Sequence, residues 1–446
     1  MIYENMTDVI GNTPLVRMDP AVTGLRNIDL YAKLEMLNPF GSVKDRAAWS
    51  MAQPGLDDAA AGERTMIELS SGNTAKALAV IAGMHGVRFR SVTNRMKVPE
   101  IKDLLLLLGA DIEELPGQAE CLDITDTDDP LARIHRAVSE PGSEYFHTDQ
   151  YFNGRNVQAH IDGTGPEIVA DLGGAPDHFI ACVGTAGSST GVAAALRIVD
   201  DGVHVLGLVA AKSDFIPGIR NIDEVHEVGL FDPETYDAIE AVSADEAIDG
   251  MLDLVRRCGM LAGPTGGAAY FGAVRHLAKI DGQLDGSGRR ESAVFIVCDR
   301  VESYMSYVRT RRPELLKQPP RTHDVRNLAD QDLAAAAVVD AARARSWMAQ
   351  ERPTVIDLRG GFAFAAAHIE GSINIVDEVF AELLHSGLPV GADQPVLLVC
   401  PVGEKSLRYS ALMRRMGHHD VRSLSGGVIA WRDAGAPLVR GAGADR

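Results

Sequence analysis

Short apolar runs alternate with stretches of helical periodicity along residues 29–301 of the chain. Five of these runs are LYAKLE, TMIELSS, HFIACVG, VHVLGLVAA and AVFIVCD. Each has the length and composition of a buried strand, and the segments between them have the spacing of helices. This regular alternation predicts an α/β fold in which the sheets are mostly parallel.

The alternation stops at RTRRPELLKQPPR, residues 309–321, where proline and charge are frequent and apolar periodicity is absent. Such a composition is typical of a linker. Beyond it, the alanine-rich stretch from Leu333 to Ala349 predicts a helix, and PTVIDLR, SINIV and VLLVC repeat the strand pattern on a smaller scale. The predicted division is a first domain at 1–308, a linker at 309–324, a smaller α/β domain at 325–440 and a disordered tail at 441–446.

The composition indicates a globular protein and argues against several classes of partner. Of the 446 residues, 46% are hydrophobic and 24% are charged, and the formal net charge is -19. An acidic surface repels phosphate backbones, so nucleic acid is not an expected partner. No apolar run has the length of a membrane span, and the N-terminal MIYENMTDVI lacks the features of a signal peptide, so we expect no membrane association.

The cysteines are dispersed along the chain. They show no CxxC pair and no spacing typical of a metal site, so we predict no metal ligands and expect reduced thiols in a cytoplasmic protein. Four of them lie in or beside apolar segments and suit small core positions. The five are Cys121, Cys182, Cys258, Cys298 and Cys400, and the last is followed by a distinctive loop.

Lys44 stands in NPFGSVKDRAAW, after a turn and at the predicted start of a helix. The positive end of a helix dipole lowers the pKa of a lysine and favours the neutral amine that a Schiff-base lysine needs. A surface lysine that begins a helix explains the same pattern. On its own, the segment leaves both interpretations open.

Three further loops of small and hydroxyl residues follow predicted strands and precede predicted helices. They lie in ELSSGNTAKALAV, ACVGTAGSSTGVAAAL and LAGPTGGAAYFGAV. The first loop offers hydroxyls and amides to a carboxylate, and the second offers them to one phosphate. The second lacks the Walker lysine and the GxGxxG pattern, which argues against those nucleotide-binding motifs. Taken alone, the first loop is equally explained by an N-cap cluster, and the third by close helix–sheet packing.

Taken together and in order, segments of the first 306 residues resemble the cysteine synthase group of fold-type II pyridoxal-phosphate enzymes. The resemblance implies two αβα subdomains with mostly parallel sheets, pyridoxal 5'-phosphate as the cofactor and a homodimer formed through this domain. The segments that carry it are IGNTPLV, NPFGSVKDR, SSGNT, DQYFN followed by TGPEI, GTAGSSTG, IPGIRNIDE, GPTGGAA and CDRVESYMS.

The same resemblance implies roles for individual residues. Lys44 would carry the cofactor covalently, Asn73 would meet the pyridoxal 3'-oxygen, and Thr265 would hydrogen-bond the pyridine nitrogen. A neutral hydroxyl there leaves that nitrogen unprotonated, which suits β-elimination. The cofactor phosphate would be cradled by Gly184, Thr185, Ala186, Gly187 and Ser188. The carboxylate of the amino-acid substrate would be bound by Ser70, Ser71, Gly72, Thr74 and Gln150.

Several positions depart from the usual sequence of the family. The departures leave the cofactor site plausible, but they leave the identity of the substrate open. They are Ala186 in place of glycine, Ala75 and Lys76 in place of Gly-Ile, Gly266 in place of a second serine, and Cys298 and Val301 in place of proline and glycine.

Arg220 lies in IPGIRNIDE, which resembles the branch of the family that uses O-phosphoserine and a sulfur carrier protein. In that branch an arginine at this position recognises the substrate phosphate, which a guanidinium fits in bidentate fashion. We therefore expect O-phosphoserine to be preferred over O-acetylserine. An ion-paired arginine without contact to substrate explains the residue equally well.

The second domain resembles a single rhodanese domain through VIDLR, AAHIEGSINI, LLVCPVGEKS and LSGGVIAWRDAGAPL. In such a domain the loop after the cysteine directs its amides at the sulfur and stabilises an anionic persulfide. The predicted persulfide loop is Cys400, Pro401, Val402, Gly403, Glu404 and Lys405. We interpret Asp357, Arg359 and His368 as scaffold, and a buried core cysteine in an inactive domain remains the alternative.

Two features of this loop bear on the sulfur donor. Lys405 stands where arginine is usual and Glu404 adds a negative charge, so recognition of thiosulfate is weakened. A protein persulfide or a thiocarboxylated carrier protein therefore joins thiosulfate as an expected donor. The two resemblances imply synthesis of L-cysteine or its persulfide from an O-activated serine, with sulfur supplied through Cys400. A cysteine desulfhydrase, β-replacement with an amine, and a non-enzymatic scaffold are the alternatives.

Overall fold

This computed structural model describes residues 2–93, 96–115, 129–212, 214–316, 325 and 328–440, except for the side chain of Ser386. Contacts within the chain divide it into two units, Met1–Leu316 and Lys317–Arg446. Cys121 and the predicted tail at 441–446 lie outside the described residues. No helix among the described residues is long and apolar enough to cross a bilayer.

Two sheets form the framework of the first unit. The described residues give a six-stranded sheet in the order β1-β2-β10-β7-β8-β9, parallel except for β1, and a four-stranded parallel sheet in the order β5-β4-β3-β6. The strands are β1 Leu15–Arg17, β2 Ile28–Lys33, β3 Thr65–Leu69, β4 Arg88–Thr93, β5 Asp111–Glu114, β6 Tyr145–His147, β7 His178–Cys182, β8 His204–Ala210, β9 Ala238–Val242 and β10 Glu291–Ile296.

Helices pack against both sheets and enclose apolar clusters, as continuous apolar strands require. The helices are α1 Pro20–Thr23, α2 Lys44–Ala52, α3 Leu56–Ala61, α4 Asn73–Met84, α5 Pro99–Leu107, α6 Pro130–Ser139, α7 Arg155–Ala159, α8 Gly165–Leu172, α9 Gly187–Val199, α10 Ala244–Arg257, α11 Pro264–Asp281 and α12 Met305–Arg311. Helices α4 and α9 begin just after β3 and β7, so the loops before them lie at the carboxyl ends of strands.

The second unit is built on a parallel five-stranded sheet in the order β11-β15-β14-β12-β13. Its strands are β11 Ala337–Val339, β12 Thr354–Asp357, β13 Ile373–Asn374, β14 Val396–Val399 and β15 Val421–Leu424. Its helices are α13 Asp330–Ala334, α14 Ala341–Glu351, α15 Gly361–Ala366, α16 Asp377–Ser386, α17 Glu404–Arg415 and α18 Gly427–Asp433. The predicted α/β fold is confirmed for both units.

Two local expectations were wrong. The helix predicted from Leu333 to Ala349 is interrupted by β11, because Val338 and Val339 pair with a distant strand and β-branched residues suit that environment. The predicted linker also begins too early. Helix α12 reaches Arg311, and Leu315 and Leu316 in the following turn pack against the core of the first unit.

Candidate functional site

Lys44 is the first residue of α2 and follows a turn that its neighbour Asp45 holds in place. The Asp45 carboxylate accepts hydrogen bonds from the amide of Phe40 (2.6 Å) and the hydroxyl of Ser42 (3.1 Å). Burial raises the pKa of Asp45 to about 7. Burial also lowers the pKa of Lys44, whose Nζ lies 3.5 Å from Oγ1 of Thr185. The amine is thus directed at the glycine-rich loop with its neutral form favoured.

A cavity of about 320 Å³ opens beside Lys44. This volume is in the range of small-molecule sites. The predicted site residues that line it are Lys44, Ser70, Ser71, Gly72, Asn73, Thr74, Gln150, Gly184, Thr185 and Arg220. Among the described residues, Ala186, Gly187, Ser188 and Thr265 are predicted site residues that do not line it. The structure therefore brings together side chains that are far apart in sequence around one space.

The loop Gly184–Ser188 leads into α9, whose first backbone amides lack partners within the helix. Two glycines in it allow close packing. A Cβ on Gly184 would lie 2.5 Å from the carbonyl oxygen of Gly218, and one on Gly187 would lie 2.0 Å from Oδ1 of Asn156. Ala186 has a φ of +62, a left-handed conformation that glycine adopts without strain. A helix N-terminus whose amides have no partner within the helix is suited to a phosphate.

Asn73, at the start of α4, belongs to a buried hydrogen-bond network. Its Nδ2 donates to Oδ2 of Asp299 (2.6 Å) and to the hydroxyl of Tyr304 (3.0 Å), and that hydroxyl donates to the same carboxylate (2.5 Å). Oδ1 of Asn73 is buried and has no hydrogen-bond partner. A buried, unpartnered amide oxygen beside a cavity is unusual and fits a site that binds a polar ligand.

The wall formed by the loop after β3 is also preorganised. Oε1 of Gln150 accepts a hydrogen bond from the Thr74 hydroxyl (2.8 Å), and Nε2 of Gln150 donates to the carbonyl of Leu69 (2.6 Å). The Ser70 hydroxyl accepts from the amide of Ala75 at 3.2 Å. These bonds fix the orientation of hydroxyl and amide groups that can bind a carboxylate.

Two predicted residues have partners that the sequence did not indicate. Oγ1 of Thr265 donates to the carbonyl of Pro217 (2.6 Å), so the hydroxyl lies behind the cavity wall. Arg220 lines the cavity, donates to the Tyr151 hydroxyl (3.1 Å) and pairs with Glu224 at 3.4 Å. Arg220 is therefore ion-paired and also available to the cavity.

Lys76, one of the departures from the family sequence, is only 8% exposed. Burial lowers the pKa of its ammonium, while the nearby carboxylates of Asp45 and Asp299 raise it. A second amine with a lowered pKa thus lies close to the turn that precedes Lys44, within 3.6 Å of a Cβ placed on Gly41.

The second unit holds Cys400 at the end of β14, where it is 1% exposed. Its sulfur accepts from the backbone amides of Gly403 (3.1 Å) and Ser406 (3.4 Å), and the Ser406 hydroxyl lies 3.3 Å away. Gly403 has a φ of +89 and directs the loop into α17. Two amides and a helix N-terminus thus converge on one sulfur, an arrangement that can hydrogen-bond an anionic group bound there.

The rest of the persulfide loop faces outward. Pro401, Val402, Glu404 and Lys405 are exposed. Lys405 forms an ion pair with Asp377, so its charge is directed at a carboxylate of the same unit. Arg359 binds Asp357 through two nitrogens and also donates to the carbonyl of Ala367, and the ring of His368 stacks on Phe364.

Sequence reasoning missed four residues that these contacts single out. They are Asn156, Asp299, Tyr304 and Ser406. Asn156 supports the glycine-rich loop by donating to Thr185 Oγ1 at 3.1 Å, and Ser406 links the Cys400 sulfur to Ser423 at 2.8 Å. The sequence offered one signal for three of them. Asp299, Tyr304 and Ser406 are polar residues inside the motifs CDRVESYMS and VGEKS, at positions where an apolar residue would suit a core equally well.

The residues present fit pyridoxal phosphate. The glycine-rich loop before α9 offers a phosphate site, the Asn73 amide retains an unpartnered oxygen, and the Lys44 amine lies 3.5 Å from Thr185 of that loop and has a lowered pKa. Lys44 would hold the aldehyde carbon and the loop Gly184–Ser188 the phosphate, and the bound group would supply an electron sink.

Comparison with known families matches residues 6–299 to the pyridoxal-phosphate dependent enzymes and residues 340–434 to the rhodanese-like domain. A cysteine synthase B of Pseudomonas aeruginosa is 33% identical over 306 residues, which is 68% of this chain and 96% of that protein. An N-(2-amino-2-carboxyethyl)-L-glutamate synthase of Ralstonia nicotianae is 32% identical over 316 residues, 69% of this chain and 90% of that protein. The crystal structure of a hydrogen sulfide-producing enzyme from Fusobacterium nucleatum superposes with a TM-score of 0.59 at 25% identity, covering 68% of this chain and 99% of that one.

Proposed function

Because the chain belongs to the pyridoxal-phosphate dependent enzymes, as a cysteine synthase-type enzyme with a rhodanese-like domain, we propose a specific β-replacement for it. The first unit forms L-cysteine or its persulfide from an O-activated serine, and the second unit supplies sulfur as a persulfide on Cys400. One observation carries the proposal: a single chain joins the cavity beside Lys44 to a cysteine sulfur surrounded by amides. The membership also confirms the resemblance of the first domain to cysteine synthases, the resemblance of the second to a rhodanese domain, and the cofactor that the sequence predicted.

In the first unit, bound pyridoxal phosphate would supply an electron sink, the chemistry that the loss of a group from the substrate's Cβ needs. Lys44 Nζ takes the proton from Cα, because burial lowers the pKa of its ammonium and favours the free amine. The substrate carboxylate would accept from the second Nε2 hydrogen of Gln150 and from the Thr74 hydroxyl, which would turn from Gln150 to the carboxylate. These contacts orient Cα toward Lys44.

Arg220 supports O-phosphoserine as the preferred substrate. Its side chain lines the cavity, is 13% exposed and pairs with Glu224 through one long contact of 3.4 Å. A guanidinium has five N–H donors, so this pairing leaves donors for a phosphate. A doubly charged phosphate makes stronger bonds to such a cation than the neutral ester of O-acetylserine does.

The substrate preference is tested by steady-state kinetics with sulfide on both serine esters. In Arg220→Met, kcat/KM for O-phosphoserine should fall by about 10–100-fold and that for O-acetylserine should stay within about threefold. The control is Arg220→Met combined with Glu224→Gln, which also removes the carboxylate that the arginine neutralises. An equal loss with both esters, or better activity with O-acetylserine in the unaltered chain, would contradict the preference.

The second unit would first load sulfur onto Cys400. The Cys400 thiolate takes the outer sulfur of a donor, releasing sulfite from thiosulfate or a thiol from a protein persulfide. That sulfur is at oxidation level zero, so each free cysteine requires two thiols to be oxidised to one disulfide. Cysteine persulfide forms when that cysteine takes a second outer sulfur from a persulfide, which releases a thiol and requires no further reduction. Tethering raises the concentration of the sulfur near the first unit if the linker permits contact.

The role of Cys400 is tested by driving cysteine formation with thiosulfate plus a thiol, and separately with sulfide. Cys400→Ser should abolish the thiosulfate-driven reaction and leave the sulfide-driven rate unchanged. The second reaction is the internal control, since it needs the first unit alone. Equal thiosulfate-driven rates in both proteins would remove the second unit from the reaction.

A carbon–nitrogen β-replacement is the second candidate, and the relative from Ralstonia nicotianae favours it. That name describes a 2-amino-2-carboxyethyl group joined to the nitrogen of glutamate. Mass spectrometry of products formed with sulfide, thiosulfate and glutamate in competition separates the two functions. A predominant carbon–nitrogen product would replace the sulfur proposal.

Cysteine desulfhydration is the third candidate, supported by the hydrogen sulfide-producing enzyme from Fusobacterium nucleatum. In this direction the chain would release sulfide, pyruvate and ammonia from cysteine, and the second unit could hold that sulfur as a persulfide on Cys400 only with a disulfide that is reduced to two thiols. Pyruvate release from cysteine without an acceptor, faster than synthesis, would establish it.

A further inference from the structure

Two imidazoles and a carboxylate meet on the first unit, beside the end of β6. His135 is an exposed residue of α6, His147 ends β6, and Asp149 follows two residues later. One possible ligand atom from each residue lies within 4.8 Å of the others. The rings of His135 and His147 are 5.9 Å apart in an edge-on arrangement. The fold thus gathers three ligand-type side chains that the sequence alone did not connect.

Two of these side chains lack partners that buried polar groups normally have. The side chain of His147 is 7% exposed, and its Nε2 is buried without a hydrogen bond. Oδ1 of Asp149 is likewise buried and unpartnered. Such groups are rare in folded proteins, because an unsatisfied buried polar atom carries a desolvation cost. A cation on Oδ1 of Asp149 would remove that cost for the carboxylate, and a ring position that gives Nε2 of His147 an acceptor would remove it for the histidine.

The chemistry of the group points to a cation. Two histidine nitrogens and one carboxylate are a usual set for Zn²⁺ and related divalent ions, and they leave a fourth position for water. If all three separations were 4.8 Å, a central ion would lie about 2.8 Å from each atom, against about 2.0–2.2 Å in zinc sites. Side-chain rotations that move each ligand atom by less than about 1 Å close this difference.

A carboxylate stands behind one of the histidines, as it does in many metal sites. Oε1 of Glu68, which is fully buried, lies 3.7 Å from Nε2 of His147. When a histidine binds a metal through one nitrogen, the other commonly donates to a carboxylate, which fixes the ring. Binding through Nδ1 would allow Nε2 to donate to Glu68 after a small approach.

From this geometry we propose that His135, His147 and Asp149 form a binding site for a divalent transition-metal ion of the zinc class. The site is separate from Lys44 and Cys400 in sequence and shares no residue with the cavity beside Lys44. It differs from the expectation, drawn from the cysteines alone, that the chain binds no metal.

The site is linked to the substrate wall through Glu68. Oε2 of Glu68 accepts hydrogen bonds from the Thr148 hydroxyl and from the amide of Gln150, the latter at 3.3 Å. Gln150 is the residue bonded to Thr74. A bound ion would therefore restrain residues 147–149, which directly precede Gln150. This consequence for substrate binding rests on the proposed function, whereas metal binding itself does not.

The site is tested by titrating the metal-free holoenzyme with Co²⁺ and recording its ligand-field absorption, in a Cys400→Ser background that removes one thiol. We expect one saturable equivalent per chain, displaced by Zn²⁺. His135→Ala and Asp149→Asn should each weaken binding by at least about tenfold. The matched control is His226→Ala, an exposed histidine of the same unit outside the cluster.

Thermal unfolding provides a second readout that requires no activity. Because His135 is exposed, His135→Ala should have the metal-free melting temperature of the parent but lose the increase that Zn²⁺ causes. Absence of a saturable Co²⁺ equivalent, or unchanged binding in both ligand variants, would overturn the site. If Co²⁺ binds as expected while the parent chain, with Cys400 intact, forms no cysteine, the proposed function fails and the metal site stands.

Discussion

Gly187→Ala tests the construction of the glycine-rich loop most sharply. The added Cβ would lie 2.0 Å from Oδ1 and 2.4 Å from Cγ of Asn156, closer than Cβ atoms come in proteins. Asn156 is 1% exposed, and its Nδ2 donates to the carbonyl of Gln150 (2.8 Å) and to Oγ1 of Thr185 (3.1 Å). The side chain must move and both bonds must break.

Each buried group left without a partner costs about 1–3 kcal/mol. The free energy of unfolding of the first unit should therefore fall by about 2–4 kcal/mol in Gly187→Ala. Thr185 and Gln150 lose their common support at the same time. We expect the dissociation constant of pyridoxal phosphate to rise by at least about tenfold, which corresponds to about 1.4 kcal/mol.

Urea unfolding followed by circular dichroism measures the first quantity, and fluorescence titration of the cofactor-free chain measures the second. Gly174→Ala is the matched control, because its Cβ meets no atom within 4 Å, and it should change neither quantity by more than about 0.5 kcal/mol. In the double variant Gly187→Ala/Asn156→Ala the overlap is gone, so its cost should be less than the sum of the single costs. Unchanged cofactor affinity in Gly187→Ala would refute the reasoning.

Two further predictions concern a buried carboxyl and the persulfide loop. Burial raises the pKa of Asp45 to about 7, so the folded chain keeps a proton that the unfolded chain loses near its ordinary pKa of about 4. The stability that this group contributes is therefore full below about pH 4 and is lost as pH rises to about 7. Between about pH 5 and about pH 8, the free energy of unfolding in urea should fall less in Asp45→Asn than in the parent chain. Equal falls in the two proteins would contradict this prediction. Ser406→Ala removes the hydroxyl 3.3 Å from the Cys400 sulfur and should slow sulfur transfer from thiosulfate by roughly 3–10-fold, whereas an unchanged rate would exclude that hydroxyl from the sulfur site.

The sheets were the most predictable part of the molecule. Each of the runs LYAKLE, TMIELSS, HFIACVG, VHVLGLVAA and AVFIVCD overlaps a strand of the structure, because strands buried on both faces are apolar throughout. Helix starts were also predictable. Lys44, Asn73 and Gly187 begin helices where small and polar residues ended a strand or turn.

Pairing between segments far apart in the sequence limited how much of the fold could be predicted. Ala337–Val339 lies in an alanine-rich stretch with helical character, yet it forms a strand because Ala337 pairs with Arg422 far along the chain. Local pattern carries no information about such a partner. The turn at 313–316 was assigned to a linker for the same reason, since its two leucines find apolar partners elsewhere in the unit.

In the candidate site, too, residues in local motifs were predictable and contacts between distant segments were not. The motifs pointed to cavity-lining residues, but the partner of Asn73 is Asp299, 226 positions away, and nothing local indicates that contact. The meeting of His135 with His147 and Asp149 was likewise invisible, because it depends on how α6 packs beside β6. Thr265 was placed in contact with the cofactor, whereas its hydroxyl in the structure donates to Pro217.

The most direct test of the central claim is to reduce the holoenzyme with borohydride, digest it and locate the attached pyridoxyl group by mass spectrometry. We predict modification of the peptide that contains Lys44, and its absence in Lys44→Ala. Lys76 is the informative competitor, since it is a second buried amine with a lowered pKa. Attachment at Lys76, or no attachment at any lysine of a chain incubated with pyridoxal phosphate, would contradict the account.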